Sequence, residues 1–306
     1  METLRKTRVL LLMNNSSGTG NARRDLPKIV DELAGRNCEV TVYPIMPSKG
    51  LDSETIIQNR HQDFDLFVCY GGDGTLNYVV NAMMKNHVDK PIGYIPGGST
   101  NDFSKSFDDT IDIEEKCKAI AEGESFRYDI GYFNKERYFN YIAAFGAFTK
   151  TSYNASTNVK NVLGYGAYAI NALATLSDSV NYREHMRVYH DGGVEEGEFV
   201  FGSVSNSLSI GGLQLAFCKD ASLNDGLFEV CLVKSPDNVG EVAGIINDIA
   251  TGEGNDEYVT YFKTKKLRIE ADNEISWTID GEYGGRYKDT IIEIVPEAME
   301  IKILDE

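Results

Sequence analysis

Cysteine is scarce in this chain, and its few residues are not arranged in pairs. Five cysteines occur among 306 residues, none of them forms a CxxC pair, and most lie in apolar runs. Closely spaced cysteine pairs are typical of zinc sites and of redox motifs, so the sequence indicates neither. We interpret all five as reduced thiols in the core of a cytoplasmic protein.

The chain also has few positively charged residues and few long apolar runs. The chain has 30 Lys and Arg against 47 Asp and Glu, for a formal net charge of -17. A surface with this excess of negative charge repels polyanions, so we expect no nucleic-acid partner. The opening stretch METLRKTRVLLLMNNSSG has only a short apolar run, which predicts a buried strand and neither a signal peptide nor a membrane span.

What the chain does have is enough apolar sequence for two folded domains, with 42% hydrophobic residues. Up to residue 128, apolar runs alternate with segments of helical periodicity, which predicts a parallel sheet with flanking helices. Beyond that point, alternating aromatic-rich runs predict antiparallel strands. We therefore expect an α/β domain over residues 1–128 and an antiparallel β domain over 129–306, whose last strand is free to return to the first domain.

The stretch YGGDGTLNYVV, Tyr70–Val80, joins a predicted buried strand to a predicted helix. Glycines at this edge of a sheet let backbone N–H groups approach a phosphate, and the helix N-terminus adds its positive dipole end. Asp73 would repel that phosphate unless a divalent cation or a reacting hydroxyl lies between them, so it indicates magnesium or proton transfer. The alternative is a tight turn in which Asp73 only caps the helix at Thr75 and Leu76.

Two further glycine-rich turns follow other predicted strands. MNNSSGTGNARR, residues 13–24, ends on Arg23 and Arg24, which suit a phosphate cradle with cationic clamps. YIPGGSTNDFSKSF, residues 94–107, gathers two glycines with Ser, Thr, Asn and Asp in one turn. Because the carboxyl ends of parallel strands share one edge of a sheet, we expect the three turns to converge on a polyphosphate site.

The segments NNSSGTG, GGDGTLNYVVN and PGGSTNDFSKSF resemble the three signature loops of the diacylglycerol-kinase-type lipid kinases, which include bacterial soluble diacylglycerol kinases and sphingosine kinases. SNSLSIGGLQLAFCKDASLNDGLFEV and IDGEY occupy the places of the later motifs, so the resemblance covers nearly the whole chain. It implies an NAD-kinase-like architecture of an α/β domain and an antiparallel β-sandwich domain. ATP, Mg²⁺ and a lipid hydroxyl would meet in a cleft between the domains.

The resemblance also assigns roles residue by residue. Asp73 would act on the reacting hydroxyl or its metal, with Glu282 and Asp129 as further catalytic acids; which carboxylate is the base stays open. A structural metal would be held by the Asp225 carboxylate and by carbonyls near Ser222 and Leu227, although an Asp-Gly hairpin needs no metal. The nucleotide site would be lined by Asn14, Ser17, Gly18, Arg23, Arg24, Gly71, Gly72, Gly74, Thr75, Gly98, Ser99, Asn101 and Asp102.

The acceptor lipid stays undetermined. Diacylglycerol, phosphatidylglycerol, sphingoid bases and undecaprenol-like alcohols are all open, as is a soluble acceptor. The segment VLGYGAYAINALATL predicts either a helix that touches a bilayer or a core helix. A local basic patch of Arg183, His185, Arg187 and residues 263–268 would favour transient membrane contact despite the net negative charge. A homodimer is left open.

Two other functions compete with an ATP-dependent lipid kinase. An NAD kinase-like phosphotransferase shares the Gly-Asp-Gly loop and a β-rich second domain, but the STNDF loop favours the lipid kinase. A nucleotide-binding regulatory protein would keep the fold without turnover. The intact set of Asp73, Asp129 and Glu282 is evidence against that alternative.

Overall fold

The computed structural model divides into two compact units, one of Met1–Tyr128 with Glu297–Glu306 and the other of Asp129–Pro296. The structure describes residues 5–15, 21–107, 112–146, 183–208, 221–238, 240–242, 244–245, 248 and 257–304. Ser17, Gly18 and the apolar segment 162–176 lie outside the described residues.

In the first unit, buried strands alternate with helices along the chain. The strand sequences are continuous apolar runs; in LFVCYG, for example, all six residues are buried. Such runs are typical of parallel sheets covered on both faces. The elements are β1 (Thr7–Met13), α1 (Ala22–Gly35), β2 (Cys38–Pro44), α2 (Ser53–Arg60), β3 (Leu66–Gly71), α3 (Asp73–Lys85), β4 (Ile92–Pro96), α4 (Asp102–Lys105) and α5 (Ile113–Glu122).

The strands of the first unit form a parallel sheet in the order β2-β1-β3-β4. Beyond β4, the sheet is continued by Ile301, which pairs in parallel with Ile92. One core cluster lies between this sheet and helices α1 and α5, and it includes Leu11, Ile29 and Ile120. Because β1, β3 and β4 are neighbours that run in the same direction, the loops after them emerge side by side at one edge.

The second unit is built from antiparallel strands. The strands are β5 (Glu124–Phe133), β6 (Arg137–Phe139), β7 (Ile142–Gly146), β8 (Glu184–His190), β9 (Gly193–Ser205), β10 (Phe228–Lys234), β11 (Val259–Thr264), β12 (Lys266–Ile279) and β13 (Glu282–Ile303); β5 begins and β13 ends in residues of the first unit. Strand β9 pairs with β7, β8 and β10, and β12 pairs with β7, β8 and β13. Strand β10 also pairs with β11, and β5 pairs with β6.

The predicted fold class, a parallel α/β part followed by an antiparallel β part, is confirmed. Two elements differ from the sequence pattern. The runs TKKLRIEAD and ISWTIDGEY, which read as separate strands, contribute to one strand, β12, because its pairing with β13 shifts register between Glu270 and Ile275 instead of ending there. The helix α4 was not predicted, since four residues are too few to show a helical period.

Among the described residues, no helix is both long enough and apolar enough to cross a membrane.

Candidate functional site

The first and second glycine-rich loops are tied together by Asn14, which follows β1. Its backbone N–H donates to the carbonyl oxygen of Tyr70 at 3.0 Å. Its Nδ2 donates to Oγ1 of Thr75, in the first turn of α3, at 2.8 Å. A direct hydrogen bond between the side chains of two residues 61 positions apart therefore joins the start of the first loop to the second.

The second and third loops approach each other through their glycines. The N–H of Gly97 donates to the carbonyl oxygen of Gly71 at 2.8 Å. A Cβ added to Gly98 would lie 2.6 Å from the Cα of Gly72, and one added to Gly72 would lie 3.2 Å from the Cα of Gly98. The two backbones are thus in contact, and a side chain at Gly98 would separate them.

We expect Gly98→Ala to destabilise the junction of these loops. Its Cβ would meet backbone, which cannot rotate away, and overpacking of this kind costs about 1–3 kcal/mol. The melting temperature measured by calorimetry should therefore fall by several degrees. Gly35→Ala is the matched control, because a Cβ on Gly35 meets nothing within 4 Å. Equal melting temperatures for the two variants would contradict the close approach.

Asp73 links the second loop to the third. It is the first residue of α3 and is 8% exposed. Its Oδ2 accepts the N–H of Asp102 at 3.1 Å, and its Oδ1 accepts the N–H of Phe103 at 3.2 Å. These N–H groups begin α4, so Asp73 caps a helix other than the one it belongs to.

The third loop is folded around Asn101, which adopts a left-handed conformation with φ 53°. Its Oδ1 accepts the N–H of Gly98 at 2.9 Å, and its Nδ2 donates to the Gly98 carbonyl at 3.1 Å. The hydroxyl of Tyr94 donates to the same Oδ1 at 3.4 Å. Burial, and next the negative charge of Asp73, raise the pKa of Tyr94 well above its ordinary value, so this hydroxyl keeps its proton.

Two other predicted site residues of this loop differ in exposure: Ser99 is exposed, while Asp102 is buried.

Arg23 and Arg24 lie on the exposed first turn of α1. Arg24 Nε lies 3.1 Å from Oδ1 of Asp25, whose Oδ2 accepts the hydroxyl of Tyr70 at 2.7 Å. Burial, and next this hydrogen bond, raise the pKa of Tyr70. The chain of contacts connects Arg24 to the end of β3. Asp25 was not predicted to be part of the site, although an acidic residue just after two arginines is a signal that could have found it.

In the second unit, Asp129 is fully buried and lies against the 222–227 turn. Its N–H donates to the Leu223 carbonyl at 2.7 Å, and its Oδ2 accepts the N–H of Gly226 at 2.7 Å. The Nδ2 of Asn206 donates to the Asp129 carbonyl at 2.7 Å and to that of Leu223 at 3.4 Å. Asn206, which the sequence did not single out as a site residue, therefore fixes Asp129 and this turn to each other.

The predicted metal ligands share that turn. Asp225 Oδ1 accepts the N–H of Leu227 at 3.0 Å, and Asp225 Oδ2 lies 3.5 Å from Nζ of Lys263. The Ser222 hydroxyl donates to Oδ1 of Asn224 at 3.2 Å. One carboxylate and two carbonyls are oxygen donors of the type that Mg²⁺ prefers, so the residues fit the ion by chemistry. Within the described ranges, no group of three or more His, Cys, Asp or Glu side chains is placed to hold a metal.

Glu282 is the first residue of β13 and pairs with Ile279 across a two-residue turn. Its side chain is exposed. In the part of the chain that the structure describes, its carboxylate accepts no hydrogen bond. Glu282 therefore contributes little to the packing of the second unit.

The basic residues expected to face a membrane are largely paired with acids. Arg183 lies 3.0 Å from Glu198 and 2.6 Å from Asp237. Arg187 lies 3.0 Å from Glu196. Further along, Arg268 is paired with Glu270 and Asp289, at 2.9 Å and 2.5 Å. These arginines are neutralised by neighbours, so they do not make a strongly cationic surface.

The loops of the first unit can hold a polyanion. The N-terminus of α3, a helix of 13 residues, lies against Asn14 at the end of β1 and against the Gly97–Gly98 turn after β4. A helix of this length presents a positive dipole end and N–H groups to an anion. A buried carboxylate, Asp73, stands at the same place and would face the anion's metal or its reaction partner.

Comparisons with known proteins identify two family domains in the chain. Residues 8–133 match the family described as the diacylglycerol kinase catalytic domain. Residues 142–303 match the YegS C-terminal NAD kinase beta sandwich-like domain, which confirms the predicted β-sandwich class of the second part.

Relatives that match nearly the whole chain, and a solved structure with the same fold, are also named diacylglycerol kinases. The chain is 31% identical over 284 residues to a diacylglycerol kinase of Staphylococcus carnosus, covering 92% of this chain and 90% of the relative. A diacylglycerol kinase structure from Bacillus anthracis shares the fold with a TM-score of 0.76 at 23% identity, over 97% of each chain. An Archaeoglobus fulgidus NAD kinase in complex with ATP is more distant in fold, with a TM-score of 0.53 at 16% identity over 96% of this chain and 93% of its own. The family matches, together with 31% identity over nearly the whole chain, show that this protein belongs to the diacylglycerol kinase family.

Proposed function

We propose that the protein transfers the γ-phosphoryl group of ATP to the hydroxyl group of a lipid, diacylglycerol or a related molecule. The observation that carries the proposal is that Asn14 after β1, the Gly71–Thr75 turn after β3 and the Gly97–Asp102 turn after β4 meet at one sheet edge, with Asp73 bonded to the start of α4. Phosphoryl transfer depends on positioning and electrostatic stabilisation more than on covalent chemistry. A phosphate cradle with a fixed carboxylate would supply both.

The nucleotide would be held by the first unit. Its phosphates would bind at the N-terminus of α3, where Gly72 and Gly74 carry no side chain that would keep a phosphate away from the backbone N–H groups. Arg24 would contact the phosphates from the first turn of α1, held by its ion pair with Asp25. The hydrogen bond between Asn14 and Thr75 would hold the start of the first loop beside the N-terminus of α3.

Asp73 would orient the acceptor hydroxyl or receive its proton, and Glu282 would act at the same reaction. Bound Mg²⁺ neutralises charge on the phosphate oxygens during transfer. At the 222–227 turn, Asp225 with the carbonyls of Ser222 and Leu227 would hold a structural Mg²⁺. Asp129, bonded to Gly226, would keep that turn in place.

The acceptor is proposed on the family's activity, since the relatives that match the chain are named diacylglycerol kinases. The pairing of Arg183, Arg187 and Arg268 with acids argues against strong electrostatic docking on anionic lipid by these residues. Contact with a membrane would then be brief and would depend on apolar groups.

The test is a phosphorylation assay with the purified full chain, γ-labelled ATP and Mg²⁺. One tube contains diacylglycerol in detergent micelles, a second contains total lipid extract, and a third contains NAD. We expect a labelled, chloroform-soluble product in the lipid tubes and none without Mg²⁺. The Asp73→Asn protein, purified in the same way, controls for a contaminating kinase.

Two results would replace the proposal. Labelled NADP in the third tube would make the protein an NAD kinase. Binding of ATP in calorimetry, without labelled product in any tube, would make it a nucleotide-binding regulator. A labelled product from total lipid but not from diacylglycerol would keep the lipid kinase and change its acceptor.

We expect Arg24→Ala to weaken ATP binding more than it slows the saturated reaction. A clamp on phosphates remote from the transferred group binds ground state and transition state about equally, so its loss acts mainly on KM. A charge-assisted hydrogen bond is worth about a tenfold change in affinity. Steady-state kinetics over an ATP series should show KM for ATP raised by that factor and kcat within about twofold.

The control for Arg24→Ala is Lys28→Ala, which removes one exposed positive charge from the same helix, one turn further on. Its KM for ATP should stay near the wild-type value. If both variants raise KM equally, the effect is general electrostatics and Arg24 is not a specific clamp. If neither does, Arg24 is not in the nucleotide site.

A further inference from the structure

The turn that carries Glu282 is a two-residue hairpin between β12 and β13. It consists of Asp280 and Gly281, both left-handed with φ 47° and 81°. Two left-handed residues between paired strands are typical of a type I′ turn, for which Asn-Gly and Asp-Gly are the preferred sequences. An uncharged asparagine would therefore satisfy the turn, and the charge on Asp280 requires another explanation.

Asp280 is buried, at 2% exposure, which is unusual for a residue at the tip of a hairpin. Its carboxylate accepts four N–H groups from one short segment, residues 140–142. Oδ2 accepts the backbone N–H of Asn140 at 2.7 Å and its side-chain Nδ2 at 3.1 Å. Oδ1 accepts the N–H groups of Tyr141 and Ile142, each at 3.1 Å. The backbone N–H of Asp280 completes the contact by donating to the Ile142 carbonyl at 2.9 Å.

These bonds determine where the hairpin tip lies. A buried carboxylate is costly unless its hydrogen bonds are made, so the tip cannot shift away from residues 140–142 without losing several of them at once. The anchoring segment is itself held, because the Tyr141 carbonyl accepts the N–H of Asn206 at 3.0 Å. Glu282 is two residues from Asp280 and is exposed, so its position depends on the tip.

We propose that Asp280 is a positioning residue for phosphoryl transfer, because its carboxylate fixes the hairpin that places Glu282. This role rests on the proposed function, in which Glu282 acts at the reaction centre. Asp280 itself faces the 140–142 segment and acts through Glu282.

The test is Asp280→Asn in the full chain. Asparagine keeps the turn but places an NH₂ group against N–H donors, so part of the anchor is lost. We expect kcat to fall about tenfold or more while KM for ATP stays within about twofold, because nucleotide binding is a property of the first unit. In a Glu282→Gln background, Asp280→Asn should cause almost no further loss, since its effect passes through Glu282.

The matched control is Asp191→Asn. Asp191 and Gly192 form the two-residue turn between β8 and β9, and the Asp191 carboxylate also accepts a backbone N–H, from Lys265 at 2.9 Å. No proposed site residue follows that turn, so the control should keep its kcat. If the losses of Asp280→Asn and Glu282→Gln multiply, or if Asp280→Asn has wild-type kcat, the positioning role is wrong.

A milder variant covers the case in which Asp280→Asn does not fold. Asn140→Ala removes the side-chain donor to Oδ2 and leaves the three backbone N–H groups in place. It should lower kcat severalfold, again without further loss in the Glu282→Gln background; normal kcat, or losses that multiply, would overturn the role. A wild-type protein that transfers no phosphate would instead overturn the proposed function, and this role with it.

Discussion

Asp73→Asn is expected to lower the rate of phosphoryl transfer by about 100-fold or more, the usual scale for a lost carboxylate at such a centre. Two effects act together. The amide cannot receive a proton or bind a metal ion as the carboxylate does. It also places an NH₂ group towards the N–H of Asp102 or Phe103, which weakens the bond between the second and third loops. Single-turnover kinetics at saturating ATP measures the chemical step, and calorimetry measures the accompanying loss of stability.

Asp112→Asn separates these two effects. Asp112 caps α5, and its Oδ1 accepts the N–H groups of Glu114 and Glu115 at 2.7 Å and 3.3 Å, so the same substitution removes the negative charge from a helix N-terminus outside the three loops, while Oδ1 of asparagine can still accept. We expect a modest fall in melting temperature and a normal rate. If Asp73→Asn behaves in the same way, Asp73 is a structural cap and the reaction does not need its carboxylate.

The elements around the cradle could be predicted because each has a strong local signal. DLFVCYGG is a continuous apolar run that ends in two glycines, which is typical of a buried parallel strand leading into a tight turn. Since parallel strands share an edge, the convergence of the loops followed from the strand assignment alone. The bonds from Asp73 to α4 could not be predicted, because they join residues 29 and 30 positions apart and depend on the left-handed turn at Asn101.

The second unit was harder to predict for the same reason. The sequence IDGEY is typical of a hairpin with an exposed Asp-Gly tip, and the structure does place a hairpin there. The burial of Asp280 depends on a segment 138 to 140 positions earlier in the chain. Asn206 likewise connects Asp129 to Leu223 through contacts that no local pattern reveals. Non-local hydrogen bonds to buried polar groups leave no periodicity in the sequence, so only the three-dimensional structure identifies them.

Glu282→Gln is expected to lower kcat by on the order of 100-fold while the melting temperature stays unchanged. The side chain is exposed, and among the described residues its carboxylate accepts no hydrogen bond, so the substitution removes charge without removing packing. Glu274→Gln, at an exposed position of β12 in the same unit, is the control and should keep both properties. A fully active Glu282→Gln protein would make IDGEY an ordinary hairpin and leave catalysis to residues of the first unit.

The double variant Asp73→Asn with Glu282→Gln decides whether the two carboxylates serve one step. Groups that act in the same transition state give strongly non-additive losses, because removing either already forfeits the arrangement that both create. We therefore expect the double variant to be within a few-fold of the slower single variant. If the two losses multiply instead, to a combined loss on the order of 10,000-fold, Asp73 and Glu282 contribute independently. The proposal of a joint centre would then fail, while each residue would keep a role of its own.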